Sequence, residues 1–212
     1  MSAAGPQVAA DASFPATEMP DSDWWQVLWP DPGHVLFALG VHPGTDAVDL
    51  CCGDGLFTLP LAKIARRVLA IDLDPDVLAR AQQRLAESRI STCEFVTRNA
   101  YDVAAVVPGS ADFVLMANTF HGVPDKVRLA RAVASILRSQ GRFAVVNWHR
   151  RPREETVVLG KPRGPSTEFR MAPQEVAASV APSGLTLEQV IELPPFHYGV
   201  TFYKPAVLSG VG

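Results

Sequence analysis

An acid and a pair of glycines follow a short apolar segment in a pattern that suits a binding site. Asp49 lies in the apolar run at residues 47–50, and Gly53 and Gly55 come just after it. Glycine permits positive backbone angles and lets a ligand approach the main chain closely. Helical spacing resumes at residues 56–64, so the free N–H groups of a helix start would face the ligand. This segment is therefore a candidate site for an anionic group.

A second acid, Asp72, ends the next apolar run, which covers residues 68–71. In open parallel sheets, an acid at the end of a strand can accept hydrogen bonds from the hydroxyl groups of a ribose. The alternative is that Asp72 caps the helix expected from Pro75. Its position directly after a strand favours ribose binding.

The spacing of these residues is similar to that in a known enzyme family. Residues 49–55 have the pattern D-x-x-x-G-x-G, and residues 70–82 read AIDLDPDVLARAQ. Together they resemble the class I S-adenosylmethionine (SAM) dependent methyltransferases that act on small molecules (methyltransferase type 11/25-like). The nicotinamide-binding pattern G-x-G-x-x-G is the nearest alternative, but Thr58 occupies its third glycine position. The family usually has glycine where this chain has Cys51, so a side chain must fit close to the cofactor.

The resemblance implies SAM as the cofactor, S-adenosylhomocysteine (SAH) as the coproduct and a set of contacts to them. It implies that Asp72 holds the ribose hydroxyls and that Leu73 flanks the adenine. Asn99 and Ala100 would face the adenine edge, where the family more often has aspartate at the first position. An amide oxygen can also accept from the adenine amino group. The glycine loop would face the methionine portion, with Asp49 beside it. The expected cofactor-binding residues are Asp49, Cys51, Gly53, Gly55, Asp72, Leu73, Asn99, Ala100 and Asn118.

Two histidines are candidate bases for methyl transfer. His149 follows the fifth apolar run, and His121 lies in the run NTFHGVPD, which resembles the family's stretch beside the methyl-transfer site. The nucleophile must hold a lone pair behind the methyl group at about 3 Å. A neutral histidine can take the proton from a hydroxyl or a protonated amine, whereas a thiolate needs positioning alone. We predict His149 as the first candidate and His121 as the second, with a structural role as the alternative for each.

Aromatic and basic residues near the same strand ends are candidates for holding the methyl acceptor. Residues 150–170 contain six basic residues, which can clamp a carboxylate or a phosphate of the acceptor. The same segment has three glutamates, which favours the alternative of a solvated surface loop. His121, His149 and His197 are possible metal ligands by residue type, but they lack ligand spacing, so no metal is predicted. The expected substrate-binding residues are Trp25, Trp29, Phe120, Trp148, Arg150 and Tyr198.

The elements that would position these residues alternate between strand and helix. Apolar runs predict strands at residues 47–50, 68–72, 93–97, 112–118 and 141–148. Helices are predicted at residues 56–64, 75–87, 125–138 and 172–180. Such alternation indicates a parallel sheet, and two final strands at residues 185–193 and 198–203 are expected to be antiparallel. The predicted fold class is α/β: a Rossmann-like three-layer α/β/α sandwich with a seven-stranded, mostly parallel sheet and an antiparallel last strand.

The chain is expected to form one domain. With 212 residues, 48% of them hydrophobic, and a mean hydropathy of +0.11, it can bury a full core. Residues 1–20 are predicted to be a flexible tail, and residues 21–212 the methyltransferase domain. The tryptophan-rich helix within residues 21–40 is a possible lid over the site.

Charge and hydropathy restrict the partners of the chain. A net charge of −3 and a pI near 5.9 provide no broad basic surface for nucleic acid phosphates. No apolar run approaches the roughly 20 residues of a membrane span, and no signal peptide is recognised, so a cytoplasmic location is expected. We predict transfer of a methyl group from SAM to an O, N or S atom of a small-molecule acceptor. The oligomeric state, monomer or homodimer, stays open. The alternatives are a SAM-binding module without turnover and, less favoured, an NAD-dependent oxidoreductase.

Overall fold

The computed structural model describes residues 19–107 and 111–206. In these ranges the strands β1 to β9 are, in chain order, Asp46–Leu50, Arg67–Asp72, Cys93–Thr97, Ala111–Ala117, Leu137–Trp148, Val157–Val158, Lys161–Pro162, Thr186–Leu193 and His197–Tyr203. The α-helices α1 to α6 are Ser22–Leu28, Pro32–Ala38, Thr58–Ile64, Pro75–Glu87, Lys126–Ile136 and Pro173–Val180. Of the predicted tail, residues 1–18 lie outside the described residues.

Seven of the strands form one sheet in the order β3-β2-β1-β4-β5-β9-β8. The first five of these strands are paired in parallel. β9 runs antiparallel to both of its neighbours, β5 and β8. The prediction is confirmed: the sheet has seven strands, it is mostly parallel, and the last strand in the chain is antiparallel.

Helices cover both faces of this sheet. Along β4, Phe113 and Leu115 pack in one hydrophobic cluster, while Val114 and Met116 pack in the other. Side chains of a strand alternate between faces, so a strand covered on both faces needs an unbroken apolar run. The first cluster includes side chains of α1 to α3 and the second includes side chains of α5 and α6. The predicted three-layer arrangement is confirmed.

α4 shows how local sequence fixes an element behind the site. The Asp74 side chain accepts hydrogen bonds from the N–H groups of Asp76 and Val77 at 2.9 and 3.3 Å, and Pro75 occupies the first helical position. Both features favour a helix start. The buried stripe of the helix consists of Val77, Leu78, Ala81 and Leu85. The cap and the stripe together fix the loop after β2 against the sheet.

α2 begins at a proline shortly after the tryptophan-rich helix α1. Pro32 is the first residue of α2, and the side chain of Asp31 accepts from the N–H of His34 at 2.9 Å. Proline is tolerated there because the N–H that it lacks would have no helical partner. These features begin a second short helix, which was not among the predicted elements.

Residues 150–170 are folded against the protein. Arg170 is 3% exposed, and its guanidinium lies 5.1 Å from the ring of Trp148. It donates hydrogen bonds to Thr156 Oγ1 and to the main-chain oxygens of Arg151, Arg163 and Pro165. β6 and β7 form a short antiparallel hairpin in the same segment. The interpretation as a solvated surface loop is therefore wrong for the part around Arg170.

Candidate active site

A cleft of about 1040 Å³ opens at the carboxyl ends of the parallel strands. The loops after β1, β2, β3 and β4 line it, as do Trp148 at the end of β5, the segment at residues 19–25 and part of residues 153–165. In open α/β sheets, ligands bind at this edge beside the point where the strand order reverses. Here the reversal falls between β1 and β4. The cleft is thus at the position where the fold favours a ligand.

The loop after β1 has the tight turn that its glycines predict. Gly53 has a φ of 57° and Cys51 a φ of 60°, so Cys51 adopts a left-handed conformation in which glycine is usual. The N–H of Cys52 donates to the main-chain oxygen of Ile71 at 3.0 Å. Burial raises the pKa of the Cys51 thiol, which keeps this side chain protonated. A side chain at the family's glycine position is thus accommodated without loss of the turn.

Asp72 connects two loops of the cleft. Its Oδ2 accepts from the N–H of Gly53 at 2.9 Å, and its Oδ1 accepts from the N–H of Asp74 at 3.0 Å. A carboxylate oxygen can accept more than one hydrogen bond, so both oxygens can still bind a ligand hydroxyl. The side chain that caps α4 is that of Asp74. The capping alternative for Asp72 is therefore wrong.

Gly55 supports the cleft from behind. It has a φ of 83°, and a Cβ at this position would lie 3.0 Å from Cβ and 3.1 Å from Cα of Ala81 in α4. The missing side chain lets the loop pack directly on the helix. Gly55 does not line the cleft, so the expected cofactor contact is replaced by a packing role.

Asp49 is a buried acid at the cleft. It is 1% exposed, and its Oδ2 accepts from the hydroxyl of Thr58 at 2.7 Å. Burial raises the pKa of Asp49 to about 7, and the negative charge of Asp72 contributes further. Among the described residues no cationic side chain pairs with it. A cationic ligand in the cleft would therefore favour the charged form of this acid.

Asn118 presents an unpaired amide to the cleft. It follows β4 with a φ of 61°, and its N–H donates to the main-chain oxygen of Val146 at 2.8 Å. Its side-chain Oδ1 and Nδ2 are buried and find no hydrogen-bond partner in the described part of the chain. Unpaired buried polar groups cost free energy. A ligand that bonds this amide would therefore gain affinity.

Leu73, Asn99 and Ala100 line another part of the cleft, beside Asp72. Leu73 is 40% exposed. The Oδ1 of Asn99 accepts from the N–H of Tyr101 at 3.0 Å, which caps the turn Ala100–Ala105. This oxygen retains one further acceptor position, and the amide nitrogen adds two donors. The three residues thus offer an apolar surface and a polar edge to a ligand.

His121 lines the cleft in a neutral state. It is 5% exposed, and its Nδ1 lies 2.8 Å from Oδ1 of Asn147. Burial lowers the pKa of His121 to about 4, against the opposing effect of the Asn147 hydrogen bond. Because the amide oxygen accepts, Nδ1 carries the proton and Nε2 has the free lone pair. The ring is thus neutral at pH 7, with a lone pair available on Nε2.

His149 lies away from the cleft-lining residues. Its Nε2 is 2.8 Å from Oε2 of Glu192, and its N–H donates to the main-chain oxygen of Phe196. Both partners belong to the region of β8 and the turn that follows it. The first candidate base is therefore corrected: the structure brings His121, and not His149, to the cleft.

Trp25 and Trp148 line the cleft as expected substrate-binding residues. The main chain of Gly164 lies flat on the Trp148 ring, since a Cβ there would approach the ring carbons to 2.8 Å. This close contact is possible because glycine has no side chain and accepts a φ of 83°. The segment after β5 is thereby held over one wall of the cleft.

Two other expected substrate-binding residues lie in the core. Trp29 packs against Phe57 and His197, with ring centroids 5.0 and 4.4 Å apart. Phe120 is fully buried in the hydrophobic cluster on the opposite face of the sheet. Both side chains pack inside the domain, so their expected contact with substrate is corrected.

Tyr198 and Arg150 also lie outside the cleft. The hydroxyl of Tyr198 donates to the main-chain oxygen of Met171 at 2.8 Å. Arg150 forms a surface ion pair of 2.6 Å with Glu175. Their expected roles in binding substrate are corrected to packing and to surface pairing.

Several residues of the cleft are not among the expected site residues, and they include Trp24, Arg153 and Arg163. The sequence indicated the two groups to which these three belong, since Trp24 is in the tryptophan-rich helix and both arginines are in the basic segment. Which members of these groups turn inward depends on how residues 150–170 fold onto Trp148.

Metal-binding clusters and membrane-spanning helices do not occur in the described ranges. Residues 19–107 and 111–206 contain no group of three or more His, Cys, Asp or Glu side chains arranged to hold a metal ion. No helix in these ranges is long and apolar enough to span a membrane.

Known proteins resemble this chain in sequence and in fold. The sequence model of a family described as "Methyltransferase domain" matches residues 48–145. A ubiquinone biosynthesis O-methyltransferase of Xanthomonas euvesicatoria pv. vesicatoria (strain 85-10) is 29% identical over 186 residues, which cover 79% of this chain and 77% of the relative. A crystal structure of a SAM dependent methyltransferase from Aquifex aeolicus matches with a TM-score of 0.74 and 20% identity, covering 86% of this chain and 94% of that one. The N-methyltransferase NodS from Bradyrhizobium japonicum WM9, in complex with SAH, matches with a TM-score of 0.68 and 16% identity, covering 88% and 94%.

The fold and these similarities together indicate a SAM-dependent methyltransferase. In sequence and in fold, the chain is similar to the class I SAM-dependent methyltransferases. The two structural matches are below 25% identity and therefore speak for the fold alone. The similarities favour an enzyme over both a module without turnover and an NAD-dependent oxidoreductase.

Proposed function

We propose that this enzyme methylates a hydroxyl group of a small organic molecule bound in the cleft. The relative from Xanthomonas is named an O-methyltransferase, which favours an oxygen acceptor. Pockets for small molecules have volumes of roughly 300–1,000 Å³, so a cleft of about 1040 Å³ has room for SAM and a small acceptor beside it. The net charge of −3 favours such an acceptor over a nucleic acid.

The residues of the cleft fit SAM by charge and by hydrogen-bonding capacity. When bound, SAM supplies an electrophilic methyl group on a positively charged sulfonium. Asp49 is the proposed compensating acid, because it is buried without a cationic partner among the described residues. Asp72 would accept from the ribose hydroxyls, and the amide of Asn118 would bond the ligand through atoms that lack protein partners in the described ranges. Leu73, Asn99 and Ala100 would surround the adenine.

The observation that carries the proposed chemistry is the neutral His121 at the cleft. Its hydrogen bond to Asn147 Oδ1, at 2.8 Å, fixes the ring orientation and leaves the Nε2 lone pair available. A hydroxyl must lose its proton as its oxygen attacks, and a positioned neutral histidine can accept that proton. His121 is thus the proposed base, with Asn147 as the residue that orients it. His149 is proposed to have a structural role at Glu192.

A comparison of two histidine variants tests the proposed base. We expect His121→Ala to lower kcat about 10²- to 10⁴-fold, the usual contribution of general base catalysis. SAH release from SAM would be measured at saturating SAM over a panel of phenols and catechols, with SAH affinity measured by calorimetry. His149→Ala is the matched control and should change kcat little. Equal rates for His121→Ala and the wild type would contradict the base, and no turnover of any hydroxylated compound would contradict the acceptor class.

We also propose that residues 21–212 form one domain in which α1 covers part of the site. Trp29 anchors the end of this helix in the core by its contact with Phe57. Trp24 and Trp25 extend to the cleft from the same helix. This arrangement supports α1 as a wall of the cleft that is attached to the core at one end.

A further inference from the structure

Two arginines of the cleft have hydrogen-bonding capacity that the protein leaves unused. Arg153 and Arg163 lie on the segment that follows β5, on the side of the cleft that holds Trp148. We propose that the methyl acceptor is a hydroxylated aromatic carboxylic acid whose carboxylate binds these two arginines. The proposal rests on the proposed function, since it names the class of acceptor for the same cleft.

Arg163 is half-enclosed but poorly paired. Its side chain is 18% exposed, and its acidic neighbour Asp21 is 3.9 Å away with a side chain that is 82% exposed. Its Nε is buried and has no hydrogen-bond partner in the described residues. The guanidinium also lies 5.0 Å from the ring of Trp24. An unpaired donor on a partly buried cation is unfavourable, so an anionic ligand would stabilise this arrangement.

The side chain of Arg153 is held in one orientation, and its terminal nitrogens have no partner among the described residues. Its Nε donates to the main-chain oxygen of Gly164 at 3.0 Å, and its N–H donates to Thr167 Oγ1 at 3.1 Å. Within the described part of the chain, neither terminal nitrogen makes a hydrogen bond or an ion pair. A guanidinium held by its Nε keeps an edge that can bind a carboxylate. Arg153 is thus oriented before any ligand arrives.

A third arginine, Arg170, lies close to Arg153 and Arg163, with Glu154 as a nearby acid. Burial lowers the pKa of Arg170, and the positive charge of Arg153 lowers it further. Arg80 and Arg98 also line the cleft, but both are exposed, and the N–H of Arg98 donates to the main-chain oxygen of Asp72 at 2.9 Å. An anion near Arg153 would therefore relieve a repulsion between cations that the protein itself only partly balances.

The apolar walls indicate the rest of the acceptor. Trp24, Trp25 and Trp148 line the same side of the cleft as the two arginines. Indole rings pack favourably on flat aromatic groups. An acceptor with an aromatic ring, a carboxylate at one end and a hydroxyl directed towards His121 would contact the indole rings, the two arginines and the histidine.

Equilibrium binding to the SAH-loaded full chain tests the anion site without turnover. The probes are protocatechuate and its methyl ester, which share the same hydroxyls and ring. We expect the wild type to bind the acid at least about 10-fold more tightly than the ester, the scale of one charge-assisted hydrogen bond. Arg163→Gln and Arg153→Gln should each lose most of this preference. Arg150→Gln, which removes a surface arginine paired with Glu175, should retain it.

The outcomes separate this inference from the proposed function. Equal affinity for acid and ester, failure of both to bind, or a preference that survives in Arg163→Gln would overturn the anion site. SAH release from both compounds at equal efficiency would also overturn it, while leaving hydroxyl methylation standing. A carboxylate preference that depends on Arg163, without SAH release from any hydroxylated compound, supports the anion site and contradicts the proposed function. SAH binding to each variant, measured by calorimetry, shows that the cofactor site is intact.

Discussion

Asp49 destabilises the ligand-free protein at neutral pH. Its pKa is raised by burial to about 7, above the value of 3.8 for a free aspartate. A group with a raised folded-state pKa contributes stability that is fully present below its unfolded pKa and is lost as the pH rises through the folded value. For Asp49 this loss occurs between about pH 4 and pH 7. A cationic ligand that binds beside Asp49 would restore the lost stability, which would explain a buried acid at the cleft.

The first prediction concerns Asp49→Asn in the absence of SAM. The variant removes the titrating group, so its stability relative to the wild type should increase between pH 5 and pH 8 by on the order of 2 kcal/mol. The same variant should bind SAM more weakly, because the negative charge is gone. Urea unfolding at the two pH values and calorimetry with SAM are the measurements. A stability difference that does not change with pH would contradict the raised pKa of Asp49.

At this scale the sequence predicted the acids better than the bases. Asp49 and Asp72 lie near the carboxyl end of a recognisable strand and Asn118 directly follows one, so local information was enough to place all three at the cleft. The sequence did not show which histidine lies at the cleft, because this depends on where each ring points after its strand. His149 turns to Glu192, whereas the hydrogen bond to Asn147 holds His121 at the cleft. Neither partner is close to its histidine in sequence, so no local pattern identifies it.

Among the elements, the segment at residues 150–170 has the largest effect on the site. Arg170 holds it from within, and Gly164 lies directly against Trp148. These contacts bring Arg153 and Arg163 to the cleft and leave Arg150 on the surface. The segment therefore decides which of its cations can meet an acceptor.

Alanine substitutions at two glycines of this segment give a matched prediction. Gly164 and Gly160 have φ values of 83° and 75°, so both alanines carry a backbone penalty of about 1 kcal/mol. A Cβ at Gly164 would also meet the Trp148 ring at 2.8 Å, whereas a Cβ at Gly160 meets nothing within 4 Å. We expect Gly164→Ala to be the more destabilising by about 1–3 kcal/mol and to raise the KM for the acceptor.

Urea unfolding and acceptor kinetics measure these two variants, with SAH affinity as the internal control. SAH affinity should change little in either, since Gly53 and Asp72 lie on other loops. Equal stability and equal acceptor KM in Gly164→Ala and Gly160→Ala would show that the segment does not depend on its contact with Trp148.

Elements with strong local signals were predicted most accurately. α4 and β3 have the predicted bounds, because α4 has a cap and an apolar stripe and β3 is a short isolated run. α2 was missed because a proline that can end a helix can also begin one when Asp31 precedes it. The turns and hairpin of residues 150–170 depend on the buried Arg170, whose partners are up to 19 residues away. Such contacts cannot be predicted from the order of residues alone.

In the molecule as a whole, the acids and the arginines of the cleft come from different strands of the sheet. The carboxyl ends of β1 and β2 provide the acids Asp49 and Asp72, while the segment after β5 provides Arg153 and Arg163. A cationic cofactor and an anionic acceptor would then occupy opposite sides of one cleft. The alternation of strands and helices was sufficient to predict this fold, because the pattern repeats along most of the chain. Which residues of the segments 19–25 and 153–165 line the cleft was not predictable from that pattern.

The central claim is that the cleft binds the adenosyl cofactor and that Asp72 holds its ribose. The most direct measurement is calorimetric titration of SAH into the wild type, Asp72→Ala and, as a control on α4 outside the cleft, Asp76→Ala. We predict binding by the wild type and by Asp76→Ala, with a loss of about 1.5–3 kcal/mol in folded Asp72→Ala, the scale of hydrogen bonds to a charged group. A folded wild type that does not bind SAH, or Asp72→Ala with wild-type affinity, would contradict the account.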